Sequence, residues 1–83
     1  MVVVEVFVHR GCLSEQPALV LANEIQKAFP AWQVQVVDSQ DRARALGVIA
    51  FPAFVLNGEV LVVGVPKKEW LMGILRKRST LAY

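Results

Sequence analysis

Residues 2 to 8 read Val-Val-Val-Glu-Val-Phe-Val, an apolar and largely β-branched run interrupted only by Glu5. Such a run reads as a strand covered on both faces, because a strand with one wet face alternates apolar and polar residues. A chain that opens this way must lay packed elements above and below the strand, which points to a sheet between helical layers. The material for two layers is present, since 55% of the 83 residues are hydrophobic, above ordinary usage. At this length the expectation is a single domain over 1–83, near the lower limit of a self-supporting core.

His9-Arg10-Gly11 follows as a turn, and a helix is expected from about Cys12 or Leu13 to Ala28. Ala18, Leu21, Ala22, Ile25 and Phe29 share one face at helical spacing, and Pro30 stops the helix. Pro17 fits a first turn, where its missing N–H costs little, so it places the start near Cys12 to Ser14. Trp32 to Val37 reads as a second strand, with Trp32, Val34 and Val36 alternating against Gln33 and Gln35. Asp38 or Ser39 caps a short helix that ends at Leu46, with Gly47 just beyond it. Ala53–Leu56 and Glu59–Val63 form a hairpin about Asn57-Gly58, a turn in which both positions need a positive φ. Pro66 then opens a last helix with Trp70, Leu71, Ile74 and Leu75 as its apolar stripe. The order is βαβαββα, an α/β arrangement. The first two strands are expected to be parallel through a right-handed crossover and the last two antiparallel. The result is one four-stranded mixed sheet with helices on both faces.

Three features then coincide. Cys12 follows the first strand and opens the first helix, Pro52 stands immediately before the third strand, and a hairpin and terminal helix complete the chain. The ordered set resembles the thioredoxin and glutaredoxin superfamily, and its smallest, glutaredoxin-sized members in particular. The likeness covers nearly the whole chain. In that superfamily a Cys-x-x-Cys pair stands where this chain has Cys12-Leu13-Ser14-Glu15. The first cysteine matches Cys12, and Glu15 replaces the second. The loop proline matches Pro52, so the resemblance implies a cis bond from Phe51 beside the thiol, with a partner strand lying along this loop. The buried acid that many thioredoxins carry in the first strand is unmatched: Val6 holds its place, and Glu5 is one residue out of phase, on the other face. Of the glycines that help glutaredoxins hold glutathione, only Gly64 stands near the right place.

The resemblance nominates Cys12 as a catalytic candidate and the Phe51-Pro52 loop as a candidate for holding a substrate. Position and charge add Glu15 to the catalytic candidates and His9 and Arg10 to the substrate-holding ones, with His9 otherwise a solvated turn residue and Glu15 a helix-start acid. Two effects oppose each other at the sulfur. Unpaired N–H groups at a helix start favour a thiolate, as do His9 and Arg10 if close. Glu15 competes for those N–H groups and repels the thiolate, or bonds back to the N–H of Cys12 as in a capping box. With one cysteine the dithiol route is excluded, because no second thiolate exists to resolve a mixed disulfide. Two functions stay open. One is monothiol exchange or mixed-disulfide capture with protein or low-molecular-weight thiols, glutathione among them. The other is a redox-inactive binding or scaffolding module that kept the fold, for fold does not imply function. Cys12 itself reads either as an exposed functional thiol or as a small buried hydrophobe.

Other classes are disfavoured. One Cys and one His cannot fill a tetrahedral metal shell. Monothiol glutaredoxins that share an iron–sulfur cluster carry Cys-Gly-Phe-Ser, from which Leu13-Ser14-Glu15 departs at every position. No resident cofactor is expected. A net charge of +2 gives nucleic acid little to bind, and Lys67, Lys68, Arg76, Lys77 and Arg78 read as cations complementing a helix C-terminus. No stretch approaches the ~20 apolar residues that span a bilayer. The opening Met1-Val2-Val3-Val4 lacks a basic region and is not read as a signal peptide. A single cysteine suits a reducing compartment, so the expected location is the cytoplasm, and the expected state is a monomer or weak dimer.

Overall fold

The computed structural model describes residues 2–81, so Met1, to which the sequence assigns no role, lies outside the described residues. The elements are β1 (Val3–Phe7), α1 (Glu15–Ala28), β2 (Gln33–Val37), α2 (Gln40–Ala45), β3 (Ala53–Leu56), β4 (Glu59–Val63) and α3 (Lys68–Leu81). They form one four-stranded sheet in the order β2-β1-β3-β4. β1 pairs parallel with β2, from Val3 opposite Gln33 to Phe7 opposite Val37. It pairs antiparallel with β3, and β3 with β4.

The alternation of β1 divides the core into two layers, as a two-sided strand must. Val2, Val4, Val6 and Val8 join Phe54 and Leu56 against the inner faces of α1 and α3, supplied by Ala18, Leu21, Ala22, Ile25, Leu71, Met72 and Leu75. Phe7 turns the other way, with Ala53 and Val55, onto Ala43 of α2 and Val48. Helices therefore cover both faces, and the βαβαββα reading stands. Met72, which has no role evident in the sequence, is a core residue.

The turns follow from local chemistry. Asn57 and Gly58 have φ of 47° and 85°, as the tight hairpin between β3 and β4 requires. Asn57 also joins this turn to β1, its N–H donating to Val3 O and its Oδ1 accepting from Val3 N, both at 2.8 Å. Between Phe54 and Val55 the β3–β4 register shifts, leaving Leu61 as the extra residue. Ser39 is the cap of α2, its Oγ accepting the Arg42 N–H at 3.3 Å, while Asp38 turns to Arg10. At the exit of α1, Phe29 and Trp32 stack with ring centroids 3.9 Å apart. Gln26 Nε2 closes the same bend by donating to Trp32 O at 2.8 Å.

Several boundaries and faces differ from expectation. α1 begins at Glu15 with Ser14 as its cap, not at Cys12 or Leu13. Gly11 at φ 85° and the bond from Cys12 N to His9 O spend these residues on a tight turn, which displaces the helix start. α3 begins at Lys68, two residues after Pro66. Trp70 is 50% exposed, so the buried stripe of α3 is Leu71, Met72 and Leu75. In the edge strand β2, Val36 is exposed despite its phase. Not all the late cations serve a helix C-terminus: Lys68 Nζ reaches Glu24 at 2.9 Å from the start of α3, while Arg78 makes two bonds to Glu59 near its end. No helix among the described residues is long and apolar enough to cross a membrane.

Candidate active site around Cys12

The turn His9-Arg10-Gly11-Cys12 leaves the end of β1 and crosses to the cap of α1. Its shape is held from both sides. Cys12 N donates to His9 O at 3.2 Å, and Glu15 N donates to Cys12 O at 3.1 Å. The Glu15 side chain turns back to the same loop, but one residue earlier than expected: Oε1 accepts the N–H of Gly11 at 3.2 Å, not that of Cys12. The Cys12 amide is already committed to His9 O, so the carboxylate takes the neighbouring donor. Where the superfamily carries its second cysteine, this chain thus has a clamp on the loop.

Cys12 is exposed. Cys12 precedes the Ser14 cap and does not open the helix as expected. Its sulfur faces a side chain, with His9 Nδ1 3.2 Å from Sγ. The His9 ring lies against Phe51, centroids 5.9 Å apart and planes inclined by 31°. His9 therefore links the thiol to the loop that enters β3. The Phe51–Pro52 peptide bond in that loop is cis, Pro52 is buried, and its carbonyl accepts the N–H of Gly64 at 2.7 Å. Arg10 is engaged elsewhere. Its Nε donates to Asp38 Oδ2 at 2.9 Å, which ties the turn to the segment between β2 and α2. Of the six candidates, then, Cys12 and His9 meet, Glu15 holds their turn through Gly11, Phe51 packs on His9 from the loop it shares with Pro52, and Arg10 pairs with Asp38.

Two apolar residues join the site that the sequence pattern did not nominate. Leu13, next to the thiol, is 100% exposed, and Ile49 is 94% exposed. An open groove of about 270 Å³, lined by Gln40, Ala43, Arg44, Val48, Ile49 and Phe51, runs between α2 and the loop before Pro52. The signal for Leu13 was an apolar residue in a turn, out of phase with the α1 stripe. Ile49 had no comparable mark, since its neighbour Val48 is buried in the second layer. Behind the groove, Glu5 is buried on β1 and paired with Arg42 of α2 at 2.6 Å. This pair too was absent from the sequence reading. Among the described residues, no group of three or more His, Cys, Asp or Glu is placed to hold a metal ion.

Comparison with known proteins gives this arrangement its family. The chain is 34% identical over 58 residues to a thioredoxin from Methanocaldococcus jannaschii, a match spanning 70% of this chain and 68% of that protein. Its fold is similar to that of thioredoxin O2 from Arabidopsis thaliana in the oxidized state, with a TM-score of 0.77, 19% identity, and coverage of 93% and 74% of the two chains. It is also similar to a mutant thioredoxin from Halobacterium salinarum, with a TM-score of 0.69, 27% identity, and coverage of 92% and 73%. No family model matches the chain. The chain belongs to the thioredoxin/glutaredoxin superfamily. Within that class it is a thioredoxin-like fold with a single cysteine.

Proposed function

We propose that this protein performs monothiol thiol–disulfide exchange, capturing one half of a partner disulfide as a mixed disulfide on Cys12. The observation that supports the reading is an exposed sulfur held 3.2 Å from an imidazole nitrogen, in a chain related to an archaeal thioredoxin. In this reading Cys12 attacks the disulfide. Glu15 fixes the loop that presents it. Phe51 and Pro52, with Ile49 on the groove wall and the exposed Leu13 next to the thiol in sequence, form the surface on which the partner rests, and Arg10 holds the turn through Asp38.

With one cysteine in the chain, release of the captured partner falls to a thiol from outside, from a protein or from glutathione. A reducing, cytoplasmic setting supplies such thiols, and a monomer or weak dimer leaves the sulfur reachable. The test is incubation of the native protein with oxidised glutathione and, separately, with a peptide disulfide, followed by intact mass. The expected product is one adduct per chain, removed by dithiothreitol and absent in Cys12→Ser. Failure of the native chain to form either adduct, with ready formation after unfolding, would favour the redox-inactive scaffold instead.

A further inference from the structure

We propose that His9 is the acid–base residue of this exchange, taking the proton of Cys12 and returning it to the departing thiol. The assignment rests on the exchange at Cys12 proposed above and adds to it the route of the proton. Nδ1 lies 3.2 Å from Sγ. With the ring proton on Nε2, Nδ1 presents its lone pair to the thiol, which is the geometry a general base requires.

The surroundings leave this role to His9. Arg10 is drawn to Asp38 at 2.9 Å, and the Glu15 carboxylate accepts from Gly11 N at 3.2 Å. Phe51, from the facing loop, packs on the imidazole and brings no charge. Beyond it Arg44, on the groove wall, is paired with Asp41 at 2.6 Å. The packing on Phe51 braces the ring where its nitrogen meets the sulfur.

Cys12 gives its proton to Nδ1, and its sulfur attacks one sulfur of a disulfide R–S–S–R′. The bond between Cys12 Sγ and the R sulfur forms while the R–S–S–R′ bond breaks. The electron pair leaves on the R′ sulfur, which takes the proton from the imidazolium and departs as R′–SH. Cys12 is oxidised to the mixed disulfide, the R′ half is reduced, and His9 ends neutral. Transfer to the leaving group matters most when that thiol is weakly acidic, because acidic thiols leave readily unaided.

The experiment compares the parent with His9→Asn and His9→Phe. Asn keeps a hydrogen-bonding side chain but accepts no proton; Phe keeps an aromatic ring against Phe51. Rates of mixed-disulfide formation are measured with an aromatic disulfide, whose thiol is acidic, and with an alkyl disulfide, from roughly pH 5 to 10. A free thiol is only a few per cent ionised at pH 7, and more ionised thiols are less nucleophilic, so these two effects set the expected loss. Both variants should be slower with the alkyl disulfide by about 10-fold at pH 7, less so with the aromatic one, and equal to the parent above about pH 9.5. Variants that match the parent at every pH overturn the assignment. So does a loss that is uniform across pH and the same for both reagents, which would mark His9 as packing alone. A parent that is inert when native and reactive only when unfolded overturns the exchange itself, and this assignment with it.

Discussion

Among the described residues Glu5 is the charged member of the buried set, 7% exposed on β1, and Arg42 of α2 answers it at 2.6 Å. The guanidinium also lies 5.9 Å from the centroid of the Phe7 ring. The pair holds α2 against the sheet, and α2 forms one wall of the groove beside Phe51. Arg42→Met keeps the aliphatic stem and strips the carboxylate of its partner. Removing one partner from a fully buried pair costs about 3–5 kcal/mol. The Arg42 side chain is 55% exposed, so water screens part of the interaction, and about 2 kcal/mol is expected. Glu5→Gln is milder, at about 1 kcal/mol, because the freed guanidinium turns into solvent. The double variant Glu5→Met with Arg42→Met removes both charges and should recover most of the loss. Urea unfolding of these proteins and Glu5→Met alone closes a double-mutant cycle with an expected coupling of about 1–2 kcal/mol. For a domain of this size Arg42→Met should lower Tm by roughly 10 °C. A coupling within about 0.3 kcal/mol of zero, or Arg42→Met no costlier than Glu5→Gln, would refute the role given to this pair.

Gly58 and Gly73 both have open space where a Cβ would project, but only Gly58 holds a positive φ, 85°. Gly58→Ala should therefore destabilise by about 1–2 kcal/mol, whereas Gly73→Ala, within α3, should stabilise by about 0.5–1 kcal/mol; thermal unfolding of both reads the opposite signs. Hydrogen bonding to Lys68 lowers the Glu24 pKa, and hydrogen bonding to Arg78 lowers that of Glu59. A carboxyl lowered in the folded state adds stability above its unfolded value, about 4.3, and loses it as pH falls through the folded one. Glu24→Gln and Glu59→Gln should thus be less stable than the parent at pH 7 and draw level with it in acid, as urea titrations at both pH values will show. Glu15→Cys supplies the missing resolving thiol and should confer dithiothreitol-driven reduction of protein disulfides; no turnover, with Cys12 still reactive toward a small disulfide and the loop clamp of Glu15 thus shown dispensable, would mean that the groove does not seat a substrate.

The fold was legible because its cues are local and agree with one another. The run from Val2 to Val8 announced a two-sided strand, Asn57-Gly58 a tight hairpin, and the α1 stripe a single packed face. Misplacements arose where one residue serves two structures. Cys12 to Ser14 carry acceptable helix residues, yet the positive φ of Gly11 and the bond from Cys12 N to His9 O make them a turn. Trp70 has the right spacing for the α3 stripe but lies at its edge, half exposed. The site was legible as a set of positions, through Cys12 and Pro52, and not as contacts. Nothing in the order His9-Arg10-Gly11-Cys12 tells that His9 turns to the sulfur while Arg10 turns to Asp38; the far partners Phe51 and Asp38 decide that. Glu5 with Arg42 was hidden for the same reason, since a sequence separation of that size is bridged only by tertiary packing.

Whether the thiol of Cys12 reacts while the chain is folded decides between exchange and scaffold. Folded protein and protein unfolded in denaturant are mixed with an excess of a coloured aromatic disulfide at pH 7, and the release of its thiol is timed. Folded Cys12 should react at least as fast as the unfolded chain, and Cys12→Ser should release nothing. A folded thiol that stays silent until the chain unfolds would contradict exchange at Cys12.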